Sequence, residues 1–208
     1  MAGRWRIGRR EWLAGAAALG GCSVLPSQPM TERREWPLDV RRPDEAASPG
    51  KGPVLLVRLV QAGPGLTQRG LQWRQPDGSV RVDFYEQWAV PPAQGVEASL
   101  RQWLAASGLF SAVVGPGSRL RATYALEAEL TVLMIDRSAR VARAALAFVL
   151  LDEHGSPARV LLQDTVRAEA PIDGPGVPTA VRASATAVAD VLRQVEAAIA
   201  RVLGRRRG

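Results

Sequence analysis

The chain has 208 residues, enough for one domain with a sizeable hydrophobic core and a short leader. Apolar residues make up 47% and charged residues 23%, a balance that excludes both a disordered chain and a protein with many membrane spans. The formal charge of +7 lies mostly at the ends, in the first 21 residues and in the arginines at 205–207. The body is nearly neutral and lacks the basic face that nucleic-acid binding requires, so we expect no nucleic-acid partner.

Residues 1–21 are predicted to be an export signal. Arginines precede the apolar run WLAGAAALG, which is far shorter than the roughly 20 residues of a membrane-spanning helix. The segment ends in Leu19, Gly20, Gly21 and Cys22, which resembles the bacterial lipobox. We therefore expect acyl chains on Cys22, and two or more such chains would hold the protein on a bilayer. The alternatives are a secretory signal with an incidental cysteine and a wrongly chosen start codon.

Two details of the leader bear on export and location. Arg9 and Arg10, followed by a weakly hydrophobic run, resemble a twin-arginine signal, although an ordinary Sec signal also accepts adjacent arginines. Ser23 stands after the cysteine, where an Asp usually signals retention at the inner membrane of Gram-negative bacteria. The resemblance to lipoproteins therefore implies the periplasmic face of the outer membrane.

Residues 22–52 are predicted to be a lipidated N-terminus and a flexible tether. This stretch is polar, contains prolines and charges of both signs, and shows no sustained hydrophobic period. The folded domain is expected over residues 53–208, with a basic tail at its C-terminal end.

The first half of this domain predicts a strand, a hairpin and a helix. The aliphatic run at 54–60, bounded by Pro53 and by Gly-Pro-Gly at 63–65, is typical of a buried strand. Residues 71–74 and 80–85 flank the turn sequence QPDGS, which predicts a hairpin. After Pro91 and Pro92, apolar residues recur at helical spacing until Gly108.

The second half predicts three strands followed by a long helix. Alternating or continuous apolar residues at 124–134, 141–151 and 160–168 favour a three-stranded meander. An alanine-rich amphipathic helix is predicted after Pro178. We therefore predict an α+β fold, with an antiparallel or mixed sheet of about five to six strands and two amphipathic helices packed on one face.

The sequence contains no recognisable catalytic or metal site. The Gly-Pro-Gly triplets at 63–65, 115–117 and 174–176 each lose an N–H donor to proline and lead to no Lys-Ser or Lys-Thr, so they are interpreted as loops. His154 is the only histidine, lies in a predicted turn, and has no nucleophile motif or metal-ligand spacing beside it. We predict a non-enzymatic protein with no cofactor and no metal.

The stretches at 70–74 and 82–92 resemble the recurrent segment of the ABC-type transport auxiliary lipoproteins, the PqiC-like components of MCE-type lipid transport systems. The matching residues are Tyr85, Trp88, Ala89, Pro91 and Pro92. The resemblance covers about residues 52–203 and includes the order of the following elements. A longer segment before the first strand distinguishes this chain from many relatives.

This resemblance implies an auxiliary subunit that docks a periplasmic MCE-domain subunit at the outer membrane, in a system that moves phospholipids or similar amphiphiles between membranes. Trp73, Trp88 and Trp103 are candidate contact residues, with core packing as the alternative. Phospholipid as a direct ligand and a homo-oligomer are further expectations. Two other functions stay open: a periplasmic lipid-binding chaperone, and an outer-membrane assembly lipoprotein.

Overall fold

The structure is a computed structural model that describes residues 32–43, 52–155 and 157–205. All its elements lie in the compact unit Arg33–Gly208. They are β1 (Arg34–Trp36), β2 (Val54–Ala62), β3 (Gly70–Arg74), β4 (Val80–Trp88), α1 (Pro92–Ala105), β5 (Ala112–Val114), β6 (Tyr124–Asp136), β7 (Val141–Asp152), β8 (Arg159–Pro171) and α2 (Val177–Arg205). Within these ranges, eight strands form one mixed sheet and the predicted α+β class is confirmed, with more strands than expected. The additions are β1 and β5, which have three residues each and are too short to show a period.

Strand β6 is the centre of the sheet because its length allows it to pair with three strands. It pairs antiparallel with β7, which pairs antiparallel with β8, so the predicted meander is confirmed. On its other side β6 runs parallel to β2 and, at Ile135 and Asp136, to β3. The predicted hairpin is β3 with β4, and the short strands β1 and β5 pair parallel with β4 and β2.

Both helices bury their apolar stripes in one core cluster with the sheet. The predicted spacing of α1 buries Val96, Leu100 and Trp103, and that of α2 buries Leu192 and Val195. The two helices contact each other, and both contact β6. The two amphipathic helices pack on the sheet because its apolar face has to be buried against other elements.

The predicted tether differs from the structure over residues 34–43. Arg34–Trp36 form β1, and Leu38 and Val40 are buried in the core. The N–H of Val40 donates to Oγ of Ser99 in α1 at 3.1 Å. The prediction of a flexible tether is wrong for this stretch, because two apolar side chains on one side of an extended segment suffice to dock it despite its many charges.

The tryptophans suggested as exposed contact residues are buried instead. Trp73, Trp88 and Trp103 retain 6%, 2% and 1% of their exposure. The core alternative is correct for all three, since their alternating or helical positions turn the rings towards the sheet–helix interface. Any aromatic contact surface has to come from other residues.

Several predictions concern residues outside the described ranges: the export signal with Arg9 and Arg10, the lipobox Leu19, Gly20 and Gly21, Cys22, and the tail beyond Arg205. In the portion of the chain that the structure does describe, no helix has the length and apolar character needed to cross a membrane.

Candidate interaction surface at the end of strand β4

The family-like motif divides into a buried turn and an exposed ring. Trp88 lies in the core, and its backbone N–H donates to the carbonyl of Arg69 at 2.7 Å. The N–H of Ala89 donates to the carbonyl of Trp36 at 2.7 Å, which ties the end of β4 to β1. Tyr85, by contrast, is 44% exposed. Most of this motif therefore fixes the passage from strand to helix, and Tyr85 is its exposed member.

The two prolines of the motif start helix α1. Pro91 is the residue before the helix, with φ −49° and ψ 133°, and Pro92 occupies its first turn, where no N–H is required. The carbonyl of Pro91 accepts the N–H groups of Gln94 and Gly95 at 2.9 and 3.2 Å. An added Cβ at Gly95 would lie 3.1 Å from Cβ of Leu38, so glycine lets the N-terminal segment cross this turn closely.

A bulge in β4 sets the direction of the exposed rings. Gly70 pairs with Gln87 and Gln72 pairs with Val82, so β4 carries extra residues between these two pairs. Oδ1 of Asp83 accepts the N–H groups of Tyr85 and Glu86 at 3.1 and 3.2 Å. The Asp83 carboxylate thus replaces the sheet partners that these N–H groups lose at the bulge.

Phe84 and Tyr85 both project into solvent from this bulge. Phe84 is 58% exposed, and the two rings meet edge to face with centroids 5.2 Å apart at 90°. The guanidinium carbon of Arg33 lies 4.2 Å from the centroid of the Phe84 ring. We call Arg33, Phe84 and Tyr85 the aromatic corner.

Ion pairs hold β1 against the bulge and so position the aromatic corner. Glu86 is 8% exposed and accepts from the guanidinium of Arg34 and from Nε1 of Trp36, the latter at 2.7 Å. Nε of Arg69 donates to the carbonyl of Trp88 at 2.9 Å, and its Nη2 pairs with Glu35. Because both carboxylates are partnered by arginines from other elements, β1 is fixed in spite of its short length.

A second surface feature is an apolar groove on the face of the sheet away from the helices. A register shift between Val57 and Val60 places Arg58 and Leu59 both on the exposed side of β2. The groove has a volume of about 530 Å³ and is lined by Leu56, Arg58, Leu59, Gln61, Pro116, Glu127 and Ala128. Arg58 is paired with Glu127 and Glu153, so the polar part of the lining is internally neutralised.

The buried acids elsewhere have structural partners. Glu97 in α1 accepts the N–H of Val60 at 3.0 Å beside the β2 irregularity, and Nη1 of Arg101 at 2.6 Å. Asp136 accepts the N–H of Ala139 at 2.9 Å and pairs with Arg143, and these contacts hold the pKa of Asp136 below its usual value. Such partners explain why acids are tolerated in these positions.

The candidate residues of a catalytic or phosphate site, His154 and the Gly-Pro-Gly triplets, lie in turns and loops. His154 is exposed in the β7–β8 turn as predicted, with Nδ1 2.8 Å from Asp152. The three Gly-Pro-Gly triplets lie in loops, as expected. Across 32–43, 52–155 and 157–205, no group of three His, Cys, Asp or Glu could hold a metal ion.

Sequence reasoning missed Asp83 and Arg33. The alternation of Val82 and Phe84 resembles an ordinary strand, and the bulge that interrupts it leaves no distinct pattern. The signal that could have found it is Asp83 two residues before Tyr85, the spacing at which an Asp side chain accepts a backbone N–H.

Solved structures share the fold at low sequence identity. A protein from Xanthomonas campestris is 20% identical, with a TM-score of 0.66, and the match covers 81% of this chain and 93% of that one. An uncharacterized protein is 14% identical with a TM-score of 0.65, covering 81% and 99% of the two chains. A hypothetical protein from Chlamydia trachomatis is 9% identical with a TM-score of 0.51, covering 71% and 98%. No curated protein matches this sequence significantly.

The sequence itself matches a protein-family model over residues 37–196, which include every element from β2 to most of α2 and the buried Leu38 and Val40. The model describes the ABC-type transport auxiliary lipoprotein component. It covers more than half of the chain and agrees with the resemblance seen at residues 85–92. This chain therefore belongs to the ABC-type transport auxiliary lipoprotein family.

Proposed function

We propose that this protein is a lipid-anchored auxiliary subunit of an MCE-type ABC transport system, and that it is attached to the outer membrane through acyl chains on Cys22. The family match over residues 37–196 carries the proposal, because the family is a transport auxiliary component rather than an enzyme family. The sequence Leu19, Gly20, Gly21, Cys22 supports acylation. Two or more acyl chains would make the attachment stable.

The proposed role is docking rather than catalysis. The subunit would bind the periplasmic MCE-domain subunit and hold it at the outer membrane while phospholipids or similar amphiphiles pass between membranes. The firmly packed α+β body supports a passive role, since the buried acids Glu97 and Asp136 are engaged in structural contacts. ATP hydrolysis would belong to another subunit.

The proposed location rests on the residue that follows the acylated cysteine. Ser23 stands where an Asp would favour retention at the inner membrane. Arg9 and Arg10 support export through the twin-arginine route, with Sec export as the alternative.

Metabolic labelling tests the anchor. Cells that express the full chain are grown with labelled palmitate, and their membranes are separated on a sucrose gradient. The wild type is expected to carry label and to appear with the outer membrane, and Cys22→Ala is expected to lose both. Ser23→Asp is the matched variant, which keeps the label but moves to the inner membrane. A Cys22→Ala protein that stays with the membranes would contradict the proposal.

Affinity capture tests the docking role. The lipidated full chain, bound to resin in mild detergent, is mixed with a purified periplasmic MCE-domain subunit from the same bacterium. Retention of this subunit supports docking. If a correctly acylated protein fails to retain it, the anchor stands and the docking role falls.

The groove on the open face favours a second function, carriage of a lipid. Its volume of about 530 Å³ lies within the range of small-molecule sites, and Leu56, Leu59 and Pro116 supply an apolar lining. Native mass spectrometry of the purified protein would then detect bound phospholipid in the wild type and none in Leu59→Glu. An empty wild-type protein that still captures its partner would favour docking alone.

A further inference from the structure

The bulge in β4 interrupts the pairing of the strand and exposes two neighbouring aromatic rings to solvent. In a regular strand, neighbouring side chains point to opposite faces, so one of Phe84 and Tyr85 would turn inward. The bulge stabilised by Asp83 turns both outward, and its two hydrogen bonds measure 3.1 and 3.2 Å. Val82, two residues earlier on β4, is also 40% exposed. Clustered exposed apolar side chains of this kind mark surfaces that contact something else.

The position of this corner along the chain indicates what that contact is. Arg33 lies against Phe84, and only residues 23–32 separate Arg33 from Cys22. Eleven Cα–Cα steps span at most about 40 Å when fully extended. A domain of this size is itself about 40 Å across. The aromatic corner is thus the part of the domain whose distance from an acylated Cys22 is most tightly limited.

The charges around the corner suit a surface of lipid head groups. Tyr85 is a ring type that is enriched at membrane–water interfaces, and Phe84 adds an apolar ring of the kind that interfacial helices bury. Arg33 offers a cation for lipid phosphate. Two of the nearby carboxylates are neutralised, because Glu86 is paired with Arg34 and Asp83 is paired with Arg81 at 3.1 Å. Repulsion between these acids and lipid phosphate is therefore reduced.

We propose that the aromatic corner inserts Phe84 and Tyr85 into the head-group region of the bilayer that holds Cys22, with Arg33 at the lipid phosphates. The inference rests on the proposed acylation of Cys22. It gives the anchored domain a fixed orientation, with the bulge of β4 towards the membrane and β8, on the far side of the sheet, away from it.

Quenching of a fluorophore by labelled lipids tests this contact. The full-length acylated protein is reconstituted into vesicles of phosphatidylethanolamine and phosphatidylglycerol that contain head-group spin-labelled lipid. Cys22 is the only native cysteine, and acylation blocks its sulfur, so a thiol-reactive dye labels only an introduced cysteine. The dye is placed at position 82 in Val82→Cys and, as the matched control, at position 160 in Val160→Cys, since Val160 is 55% exposed and lies on β8.

Quenching is expected to be severalfold stronger at position 82 than at position 160. Adding Phe84→Ser and Tyr85→Ser to Val82→Cys should lower the quenching at position 82 to the control level, while the protein still floats with the vesicles. Equal quenching at both positions with intact flotation would overturn the membrane contact alone. Protection of position 82 only after addition of the MCE-domain subunit would also overturn it, because the corner would then bind protein. Loss of flotation together with dye labelling of Cys22 would overturn the anchor, and with it this inference.

Discussion

The indole nitrogen of Trp103 donates a hydrogen bond to Oε2 of Glu196 at 2.7 Å, which joins α1 to α2. The other carboxylate oxygen of Glu196 lies 3.2 Å from the guanidinium of Arg42. Nη1 of Arg42 also donates to the carbonyl of Ala106 at the end of α1, at 3.0 Å. A single acid therefore connects both helices with the docked N-terminal segment at 34–43.

Replacing this acid is expected to destabilise the fold. Glu196→Ala leaves the buried indole N–H of Trp103 without its partner, which costs about 1–3 kcal/mol. Glu196→Gln keeps an acceptor for the indole and should lose less. Urea unfolding followed by circular dichroism measures both variants, and a Glu196→Ala protein as stable as the wild type would contradict the proposed linkage.

Substitution of Leu38 tests whether the N-terminal segment is docked in the core or is a free tether. It is 5% exposed, so Leu38→Ala should lower the free energy of unfolding by about 2–5 kcal/mol, as large-to-small substitutions in a core do. Leu120→Ala is the matched control, because Leu120 is 56% exposed and its truncation should change stability by less than about 0.5 kcal/mol. Equal effects of the two substitutions in urea unfolding would mean that residues 37–40 do not pack in the core.

Two glycine substitutions should affect the free energy of unfolding differently: one should lower it, and the other should leave it unchanged or raise it. A Cβ at Gly70 would lie 2.3 Å from the carbonyl oxygen of Asp83, so Gly70→Ala must displace the bulge and should cost about 1–3 kcal/mol. A Cβ at Gly204, in the last turn of α2, meets nothing within 4 Å, and Gly204→Ala should be neutral or stabilising by up to about 1 kcal/mol. Thermal unfolding of both variants gives the signs, and an unchanged Gly70→Ala protein would show that the bulge is not rigid.

Asp136 predicts a loss of stability in acid. The N–H of Ala139 and the guanidinium of Arg143 hold the pKa of Asp136 below its usual value of 3.8. Because the pKa is lower in the folded protein than in the unfolded chain, the stabilisation is complete above about pH 5 and is lost as the pH falls through the folded pKa. Asp136→Asn should lower stability at neutral pH and flatten the decline in acid. Urea unfolding at a series of pH values measures this, and parallel profiles for variant and wild type would refute it.

The elements that could be predicted from the sequence are those whose buried side chains recur at a regular spacing. Strands β6 to β8 and both helices follow alternating or helical spacing, because one side of each faces the shared core. Strand β1 has three residues, and the docking of Leu38 and Val40 lies within a highly charged stretch, so neither produces a pattern.

The candidate surface was only partly predictable. Tyr85 was identified through the family-like motif, whereas the partner ring Phe84 and Arg33 come together only through the bulge at Asp83 and the pairing of β1 with β4. Such contacts between distant residues depend on the sheet order, which local spacing does not encode. The burial of the three tryptophans followed the general preference of large rings for the core.

The docked segment 34–43 also has a mechanical consequence. Tension along the chain from an acylated Cys22 would enter the described residues near Arg33, which lies against Phe84, and then meet β1, which carries three paired residues. The next contacts along the chain are the buried side chains of Leu38 and Val40, followed by the ion pair between Arg42 and Glu196. Several separate contacts along ten residues therefore oppose the pull before it reaches the helices and the centre of the sheet.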